Sequence, residues 1–346
     1  MSKTLQDYAT LINDTIQSNE INHYITTDNM CQNLGGIDTF KNINIPQGKV
    51  RSFQKDDVLL SNIRLYFRKV YRAKQKGGCS SDVLVFRAKH IDSATLFAIL
   101  SSQIFTDYAC SGSQGSKMPR GNKTHMMDFK IPTINFTIAK IFNSIQNKIE
   151  NNHKINELLH TLAYKIYEYY FKYKPKNAKL EQIIIENPKS SIMVKNAQKT
   201  QDKYPFFTSG DNILFYPKAI IDGRNCFLNT GGNAGIKFYV GKASYSTDTW
   251  CICANEFSDY LYLLLSSIKT HINQSFFQGT SLKHLQKNLL KKYPIYMPSA
   301  HEIKKFNQII MPLLTLISIN TRTSKKLEQI RDFLLPLLLK QQVKPK

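Results

Sequence analysis

Four stretches of this 346-residue chain combine basic, amide and glycine residues in a way that suits contact with a polyanion. They are residues 61–64 and 117–123 in the first half, and residues 229–235 and the lysine-bearing 283–292 in the second. Arginine and asparagine can pair with two atoms of guanine or adenine, whereas lysine mainly contacts phosphates. Glycine lets a backbone approach its ligand closely. The pattern therefore indicates contact with a nucleic acid.

The net charge supports this interpretation. Lysine and arginine number 47 against 25 aspartate and glutamate, which gives a formal charge of +22. Such an excess attracts DNA, RNA or an anionic membrane. Two plainer explanations stay open, because a composition rich in isoleucine, lysine and asparagine raises the lysine count by itself, and each loop alone could be a solvated turn. The recurrence of basic loops in both halves favours DNA.

Common motifs of enzymes are missing from the sequence. Residues 231–235 are glycine-rich, but they match neither GxxxxGK[S/T] nor GxGxxG and precede a predicted strand. An enzyme that methylates the amino group of adenine would be expected to carry Asn/Asp-Pro-Pro-Tyr/Phe, and residues 187–189 are only a partial approach to it. HExxH and GxSxG are absent as well. A catalytic role is therefore not indicated.

The cysteine, histidine and hydrophobic residues narrow the possible class of protein further. Six cysteines and eight histidines show no metal-ligand spacing, so we expect no metal site and reduced thiols. No signal peptide and no apolar run of about 18 residues is visible, which predicts a cytoplasmic protein. With 42% hydrophobic residues, the chain can bury a core.

A long helix is predicted between the two halves, over residues 132–173. Apolar residues recur there at spacings of three and four, which places them on one side of a helix. The step from Ile149 to Ile155 breaks this spacing and predicts a slip or bend near residues 151–153. About 38 helical residues would make a rod of roughly 57 Å, long enough to separate two domains.

A second long helix is predicted from Ser299, because Ser299 and Glu302 have the spacing of a capping box. Apolar residues then follow a three–four pattern as far as Leu338, and Pro312 is expected to kink or interrupt the helix. Each helix carries an apolar seam, and the two seams can cover one another. We infer two long antiparallel, coiled-coil-like helices.

The two halves of the chain repeat one another weakly. Three anchors recur at offsets of 165, 164 and 166 residues: 96–102 with 261–267, 114–116 with 278–280, and 131–132 with 297–298. We therefore predict an α/β (α+β) protein with two globular domains, separated by the helices, and an internal pseudo-two-fold repeat. The predicted boundaries are 1–132 for the first domain, 133–178 for the long helix and linker, 179–298 for the second domain, and 299–346 for the C-terminal helix.

Local patterns predict the main strands and helix caps. Strands are expected at 58–60, 82–86, 212–215, 237–240 and 249–252. Asp92 is predicted to cap a helix from residue 93 to about 108. Asn255 is predicted to cap another from residue 256 to about 272.

On these residues, the chain resembles the specificity (S) subunits of type I restriction–modification enzymes over essentially its whole length. The most specific segments resemble one type of target-recognition domain: 57–64, 77–86 and 115–120, with 24–30 and 35–37. In the second half the similarity lies in 204–211 and 229–232. Leu65 departs from the pattern where proline would be expected, which should alter a turn but not the fold.

The resemblance implies a non-catalytic subunit in which two target-recognition domains each read one half of a bipartite DNA sequence. The long helices would set the spacer between the half-sites. Two methyltransferase subunits would dock on the helices, and an ATP-driven restriction subunit would complete a complex for phage defence. S-adenosylmethionine, ATP and Mg²⁺ would belong to the partners, and no cofactor is expected in this chain.

The resemblance also guides the choice of functional residues. Ten are predicted to bind DNA: Asn62, Arg64, Lys117, Arg120 and Lys123 in the first domain, and Thr208, Ser209, Asn229, Asn233 and Lys237 in the second. Six apolar helix residues are predicted to face partner subunits: Ile138, Ile145, Leu162, Phe306, Leu313 and Leu334.

Two other functions stay open. A standalone DNA nuclease with a dimerising coiled coil would cleave DNA by itself in the presence of Mg²⁺. A non-specific adaptor would bind DNA, RNA or anionic lipid without sequence preference, with an affinity that falls steeply with salt.

Overall fold

A computed structural model describes residues 3–38, 43–131, 134–197, 203–210, 213–279 and 282–338. The chain forms two compact units, one of residues 1–151 with 325–346 and one of residues 152–324. Each unit contains part of both long helices. The finer boundaries drawn from the sequence stay a prediction.

The first unit contains eight described strands in two four-stranded sheets. They are β1 (Ala9–Ile12), β2 (Thr15–Gln17), β3 (Tyr24–Ile25), β4 (Lys49–Phe53), β5 (Val58–Ser61), β6 (Val70–Arg72), β7 (Gly77–Cys79) and β8 (Val83–Ala88). One sheet has the order β1-β8-β5-β6 and is antiparallel throughout. The other has the order β2-β4-β7-β3, in which β3 and β7 are parallel. The predicted strands at 58–60 and 82–86 are confirmed as β5 and β8.

Short helices pack on the first sheet. They are α1 (Leu5–Tyr8), α2 (Ser93–Leu100), α3 (Gln103–Ser111) and α4 (Lys123–Met127). Asp92 caps α2 as predicted, since its carboxylate accepts from the Thr95 amide at 2.9 Å. The helix expected to reach residue 108 is instead two helices, because Ser102 caps α3 by accepting from the Phe105 amide. Phe97 of α2 is fully buried against the sheet.

One long helix, α5 (Phe136–Tyr167), continues as a π-helical turn over Glu168–Lys172. The predicted long helix is therefore confirmed, although its expected start at residue 132 lies outside the described residues. The slip or bend expected near residues 151–153 does not interrupt α5, which is helical throughout this segment. Asn152 takes the buried position there, and its Nδ2 donates to Ser324 Oγ at 3.1 Å. A buried polar pair thus explains the gap in the apolar pattern.

The second unit also contains two larger sheets, one of four strands and one of three. Its described strands are β9 (Ala178–Lys179), β10 (Ile185–Glu186), β11 (Tyr204–Phe207), β12 (Leu214–Tyr216), β13 (Arg224–Asn229), β14 (Ile236–Val240), β15 (Ser244–Tyr245), β16 (Thr249–Cys253), β17 (Phe277–Gln278), β18 (His284–Leu285) and β19 (Pro294–Ile295). One sheet has the order β10-β16-β13-β14 and is antiparallel. The other has the order β12-β11-β15, in which β11 and β15 are parallel.

Two further strand pairs, β9 with β19 and β17 with β18, complete this unit. Its predicted strands at 237–240 and 249–252 are confirmed as β14 and β16. The one expected at 212–215 is present as β12, and residue 212 itself lies outside the described residues. The sequence thus located β14 and β16 but not β13, which lies between them in the sheet.

The helices of the second unit are α6 (Val194–Ala197), α7 (Ser258–Ser267), α8 (Lys269–Ser275) and α9 (Lys287–Lys291). The cap predicted at Asn255 is wrong, because a 3-10 turn occupies Asn255–Phe257 and α7 begins only at Ser258. The Ser258 hydroxyl accepts from the Ala254 amide at 2.9 Å and so closes this turn. The buried apolar residues of α7 form much of this unit's core.

The last helix is α10 (Ala300–Leu338). Its predicted capping box is confirmed, since the Ser299 amide donates to Glu302 at 2.9 Å and the Glu302 amide donates to Ser299 Oγ at 3.3 Å. The helix is not interrupted at Pro312. Among the described helices, none has the length and apolar character needed to cross a membrane. The mixed α/β fold predicted from the sequence is confirmed.

Candidate nucleic-acid interface

Two loops of the first unit bring several predicted DNA-binding residues together. The Arg64 amide donates to the Pro119 carbonyl at 2.9 Å, and the Gly121 amide donates to the Asn62 carbonyl at 3.1 Å. The Arg64 guanidinium also donates to the Lys117 carbonyl at 3.3 Å. These bonds hold the loop after β5 against the loop that precedes α4.

The cations of the second of these loops face solvent. Lys117, Arg120 and Lys123 are all exposed. Arg120 forms an ion pair with Asp82 at 2.9 Å, yet its side chain remains 62% exposed. An ion pair so open to water contributes about 0–1 kcal/mol. The ion pair with Asp82 would therefore cost little free energy to break if Arg120 bound a phosphate or a base.

Asn62 lies beneath these loops and not on their surface. Its side chain is buried, and its Oδ1 has no hydrogen-bond partner among the described residues. A Cβ added to Gly121 would lie 2.1 Å from Met126 Cε and 3.0 Å from this oxygen, so the loop packs closely over both side chains at the glycine. Asn62 therefore supports the loop in this structure, and its amide would have to move to reach a base.

The predicted residues of the second unit mostly bond to one another. Lys237 Nζ donates to the Thr208 carbonyl at 2.9 Å and to Asn229 Oδ1 at 3.2 Å. Asn229 Nδ2 donates in turn to the Asn233 carbonyl at 3.1 Å. Thr208 and Asn229 are buried. We call these four residues the loop network, because they hold residues 229–235 in shape.

Gly235 makes the loop network possible. A Cβ at this position would lie 2.2 Å from Asn229 Nδ2, inside the amide that fastens the loop. Ser209 adds another fastening, since its hydroxyl donates to the Asp248 carbonyl and accepts from the Thr230 amide at 3.2 Å. Of the five residues predicted in this unit, Asn233 alone is exposed.

The lysines of residues 283–292 are also partly engaged within the protein. Lys287 Nζ lies 5.2 Å from the centre of the Trp250 ring, and burial lowers the pKa of Lys287. Lys291 forms an ion pair with Glu186, which also accepts from the Trp250 indole at 2.7 Å. Lys287 and Lys291 are therefore less available to phosphates than the sequence suggests, whereas Lys283 and Lys292 are exposed.

The residues predicted to face partner subunits differ in exposure. Leu162 is exposed, whereas the other five are at least partly buried: Ile138, Ile145, Phe306, Leu313 and Leu334. Phe306 is fully buried, with its ring centre 4.9 Å from that of Phe171. A partner cannot contact the Phe306 side chain in this structure, because that side chain belongs to the core of the second unit.

Both long helices also carry apolar residues that face solvent. On α5 in the second unit they include Ile155, Leu158 and Leu162, which we call the α5 stripe. On α10 in the first unit they include Ile330, Phe333 and Leu337, the α10 stripe. The other large exposed apolar residues of the two helices are Phe136, Ile141, Ile309, Met311, Leu316 and Ile319. Spacings of three and four place each stripe on one side of its helix. The sequence contains this signal, but spacing alone does not tell which apolar side of a helix is buried.

No group of three or more His, Cys, Asp or Glu side chains in the described part of the chain is placed to hold a metal ion. At its candidate loops the first unit presents exposed cations. The second unit presents a glycine-rich loop that is held by hydrogen bonds.

Comparison with known proteins identifies a related family. Residues 176–329 match the family model of the type I restriction modification DNA specificity domain. The fold is similar to that of the S subunit of a type I restriction–modification system from M. genitalium, with a TM-score of 0.65 and 14% identity over 99% of this chain and 96% of that one. The HsdS subunit from Thermoanaerobacter tengcongensis aligns with a TM-score of 0.37 and 14% identity, over 98% of this chain and 96% of that one. No curated protein sequence matches the chain.

The family match covers most of the second unit and includes its loop network. The first unit lies outside that match, but the similarity of fold to the M. genitalium subunit extends over it. The resemblance predicted from the sequence is therefore confirmed: residues 176–329 match the family model of the type I restriction modification DNA specificity domain, and the fold of the chain is similar to that of a type I specificity subunit.

Proposed function

We propose that this protein is the non-catalytic subunit that recognises DNA for a type I restriction–modification complex. It would read a bipartite target and position the adenine methyltransferase and the ATP-driven restriction subunits on it. The observation that carries the proposal is the DNA specificity domain in residues 176–329. The exposed cations at Lys117, Arg120 and Lys123 give the first unit the charge that DNA phosphates require.

Equivalent sheets in the two units support a pair of recognition domains related by an internal repeat. In each unit a short early strand pairs with the last strand of the sheet, which pairs with the first strand of a central hairpin. Three strands begin 166 residues after their counterparts: β13 after β5, β14 after β6, and β16 after β8. This offset agrees with the anchors found in the sequence. Each domain would read one half-site.

Contacts between the long helices support an antiparallel pair. In the second unit, Asn152 of α5 bonds to Ser324 of α10, and Asn156 Nδ2 donates to Thr321 Oγ1 at 3.3 Å. A later residue of α5 thus meets an earlier residue of α10. The 32 residues of α5 span about 48 Å, which exceeds one turn of DNA, about 34 Å. We infer that these helices set the spacer between the half-sites.

The α5 and α10 stripes support the docking of methyltransferase subunits, of which we expect two. Exposed apolar patches mark surfaces that contact other proteins. The partner would flip and methylate adenine with S-adenosylmethionine, and the restriction subunit would use ATP and Mg²⁺. This chain would supply recognition alone, in the cytoplasm, where the complex would act against phage DNA.

Co-expression with the neighbouring methyltransferase gene tests the proposal. Genome-wide mapping of methyladenine should show a split motif that disappears when this chain is omitted. Loss of Lys117, Arg120 and Lys123 together should change the methylated motif at one half only. Methylation of the same motif without this chain, or DNA cleavage by the purified chain with Mg²⁺, would contradict the proposal.

A further inference from the structure

Two apolar side chains stand out on the joined loops of the first unit. Tyr66 is 51% exposed and Met118 is 56% exposed, although most large apolar side chains of this unit are buried. Tyr66 lies two residues after Arg64, and Met118 lies between Lys117 and Pro119. The bonds that join Arg64 to the 117–119 segment therefore hold the two loops that carry these exposed side chains next to each other.

The loop that carries Tyr66 is held rigidly. Arg64 and Arg68 both have left-handed backbone conformations, with φ of 51° and 49°, on either side of a 3-10 turn. Non-glycine residues keep such conformations only where the surrounding structure imposes them, and they cluster at functional sites. Here Leu65 is buried, and the Arg68 guanidinium donates to the Ser101 carbonyl at 2.9 Å. Tyr66 is thus presented outward from a fixed turn.

The loop that carries Met118 is equally fixed. Gln114 and Arg120 exchange backbone hydrogen bonds of 2.9 and 2.8 Å, which closes the segment between them. Gly115 begins the turn with a φ of 99°, a conformation that favours glycine. Met118 therefore projects from a closed loop whose position does not depend on its own side chain.

The charge around these side chains indicates a nucleic acid as the occupant, and the proposed function makes it duplex DNA. Lys117, Arg120 and Lys123 surround the loop and are exposed, and they attract phosphates. Met118 cannot bind phosphate, and Tyr66 presents an aromatic face that can stack on bases beside a hydroxyl that can bond to phosphate. We therefore expect both side chains to contact sugars and bases. DNA-binding proteins use such side chains as wedges that enter a groove and partly separate two stacked base pairs.

We propose that Tyr66 and Met118 form a wedge that enters the DNA at the first half-site and loosens one base step. The wedge rests on the proposed function and adds to it a way of reading DNA. Sequences whose steps separate easily would be favoured even at positions where no side chain bonds to a base. The cations would hold the phosphates on either side of the loosened step.

The experiment uses the full chain in complex with its methyltransferase, on duplexes that carry the motif found by methylation mapping. 2-Aminopurine, which fluoresces more strongly when unstacked, replaces single bases across the first half-site, one duplex at a time. With the unaltered protein we expect fluorescence to rise several-fold at one step, apart from the rise at the adenine that the methyltransferase flips. The double variant Tyr66→Ala/Met118→Ala should lose the first rise and keep the second.

Affinity should fall on the order of tenfold in the double variant, the usual loss for one stacking contact. Ile104→Ala is the matched control, because Ile104 is also an exposed apolar residue of this unit, at 43%, on α3. It should leave affinity and fluorescence unchanged. Met118→Ala alone provides a second variant if the double variant unfolds, and it should reduce the rise.

The outcomes separate the wedge from the proposed function. If the unaltered complex binds no preferred sequence, the proposed function fails and the wedge fails with it. If it binds its motif but no step other than the flipped adenine brightens, the wedge alone is overturned. Retention of the rise in both the double and the Met118→Ala variants would overturn the wedge as well.

Discussion

The basic loops of the two units use similar residues in opposite ways. In the first unit, Lys117 and Arg120 extend into solvent from a loop that is closed by backbone bonds. In the second unit, Lys237 turns inward and bonds to Thr208 and Asn229. Residue type alone therefore does not decide whether a cation extends into solvent or bonds within its own loop.

The difference follows from how each loop satisfies its own polar backbone groups. Residues 114–120 pair across the segment, so their side chains are not needed for hydrogen bonding within the loop. Residues 229–235 have one such pair, from the Asn229 amide to the Gly235 carbonyl, and the Asn229 side chain adds a bond to the Asn233 carbonyl. A side chain that completes a loop in this way loses its freedom to contact a ligand.

Asn229→Leu should break the loop network and give the largest effect on folding. The change leaves the ammonium of Lys237 with one partner fewer in a partly buried place, and it frees the Asn233 carbonyl. We expect the free energy of unfolding to fall by about 3 kcal/mol, measured by urea denaturation. Asn233→Ala is the control, because only the backbone of Asn233 enters the network, and it should stay within about 0.5 kcal/mol. Equal effects of the two changes would show that the network does not hold the loop.

Arg120→Ala should affect binding where Asn229→Leu affects folding. Its ion pair with Asp82 is exposed, so we expect less than about 1 kcal/mol of lost stability. The loss of a base or phosphate contact should weaken binding to the first half-site by about 1–3 kcal/mol, measured by fluorescence anisotropy with the mapped motif. Lys55→Ala, an exposed lysine of the same unit, should change neither quantity. Unchanged affinity and an unchanged methylation motif for Arg120→Ala would count against this role.

Lys123→Ala should have a smaller effect that depends on salt and not on sequence. A lysine that neutralises one phosphate contributes about 0.9 to the slope of log affinity against log salt. We expect the slope to become less steep by that amount, with the preferred motif unchanged, in titrations between low and moderate salt. A change of motif would mean that Lys123 reads a base, and an unchanged slope would mean that it meets no phosphate.

Local signals in the sequence predicted local structure well. Asp92 and Ser299 cap their helices as expected, because a cap depends on residues three positions away. The apolar runs at β5 and β16 became strands for a similar reason. Asn255 misled the prediction, because Ser258 closes the turn before α7 and the helix begins later. Alternatives that differ by one turn are hard to separate from sequence alone.

Features that depend on contacts between residues far apart in the sequence were predicted less well. Phe306 and Leu162 both fit an apolar helical spacing, yet the first is in the core and the second is exposed. Only packing against other elements decides which apolar side of a helix is covered. Likewise, nothing near Lys237 in the sequence reveals that its ammonium will donate a hydrogen bond to the carbonyl of Thr208, which lies 29 residues earlier in the chain. The candidate loops were predictable, and the direction of their side chains was not.

Asn233→Ala should give the smallest effect, and it tests whether the second unit reads DNA with the same loop that it stabilises. Asn233 is exposed, and its carbonyl, which the substitution keeps, is the part that accepts from Asn229. One lost hydrogen bond should weaken binding to the second half-site about threefold, without a change in unfolding. Binding to duplexes altered at the first or the second half-site would locate the effect. If Asn233→Ala has no effect on binding while Asn229→Leu abolishes it, the 229–235 loop serves only as a support, and the bases of the second half-site must be read from another surface of that unit.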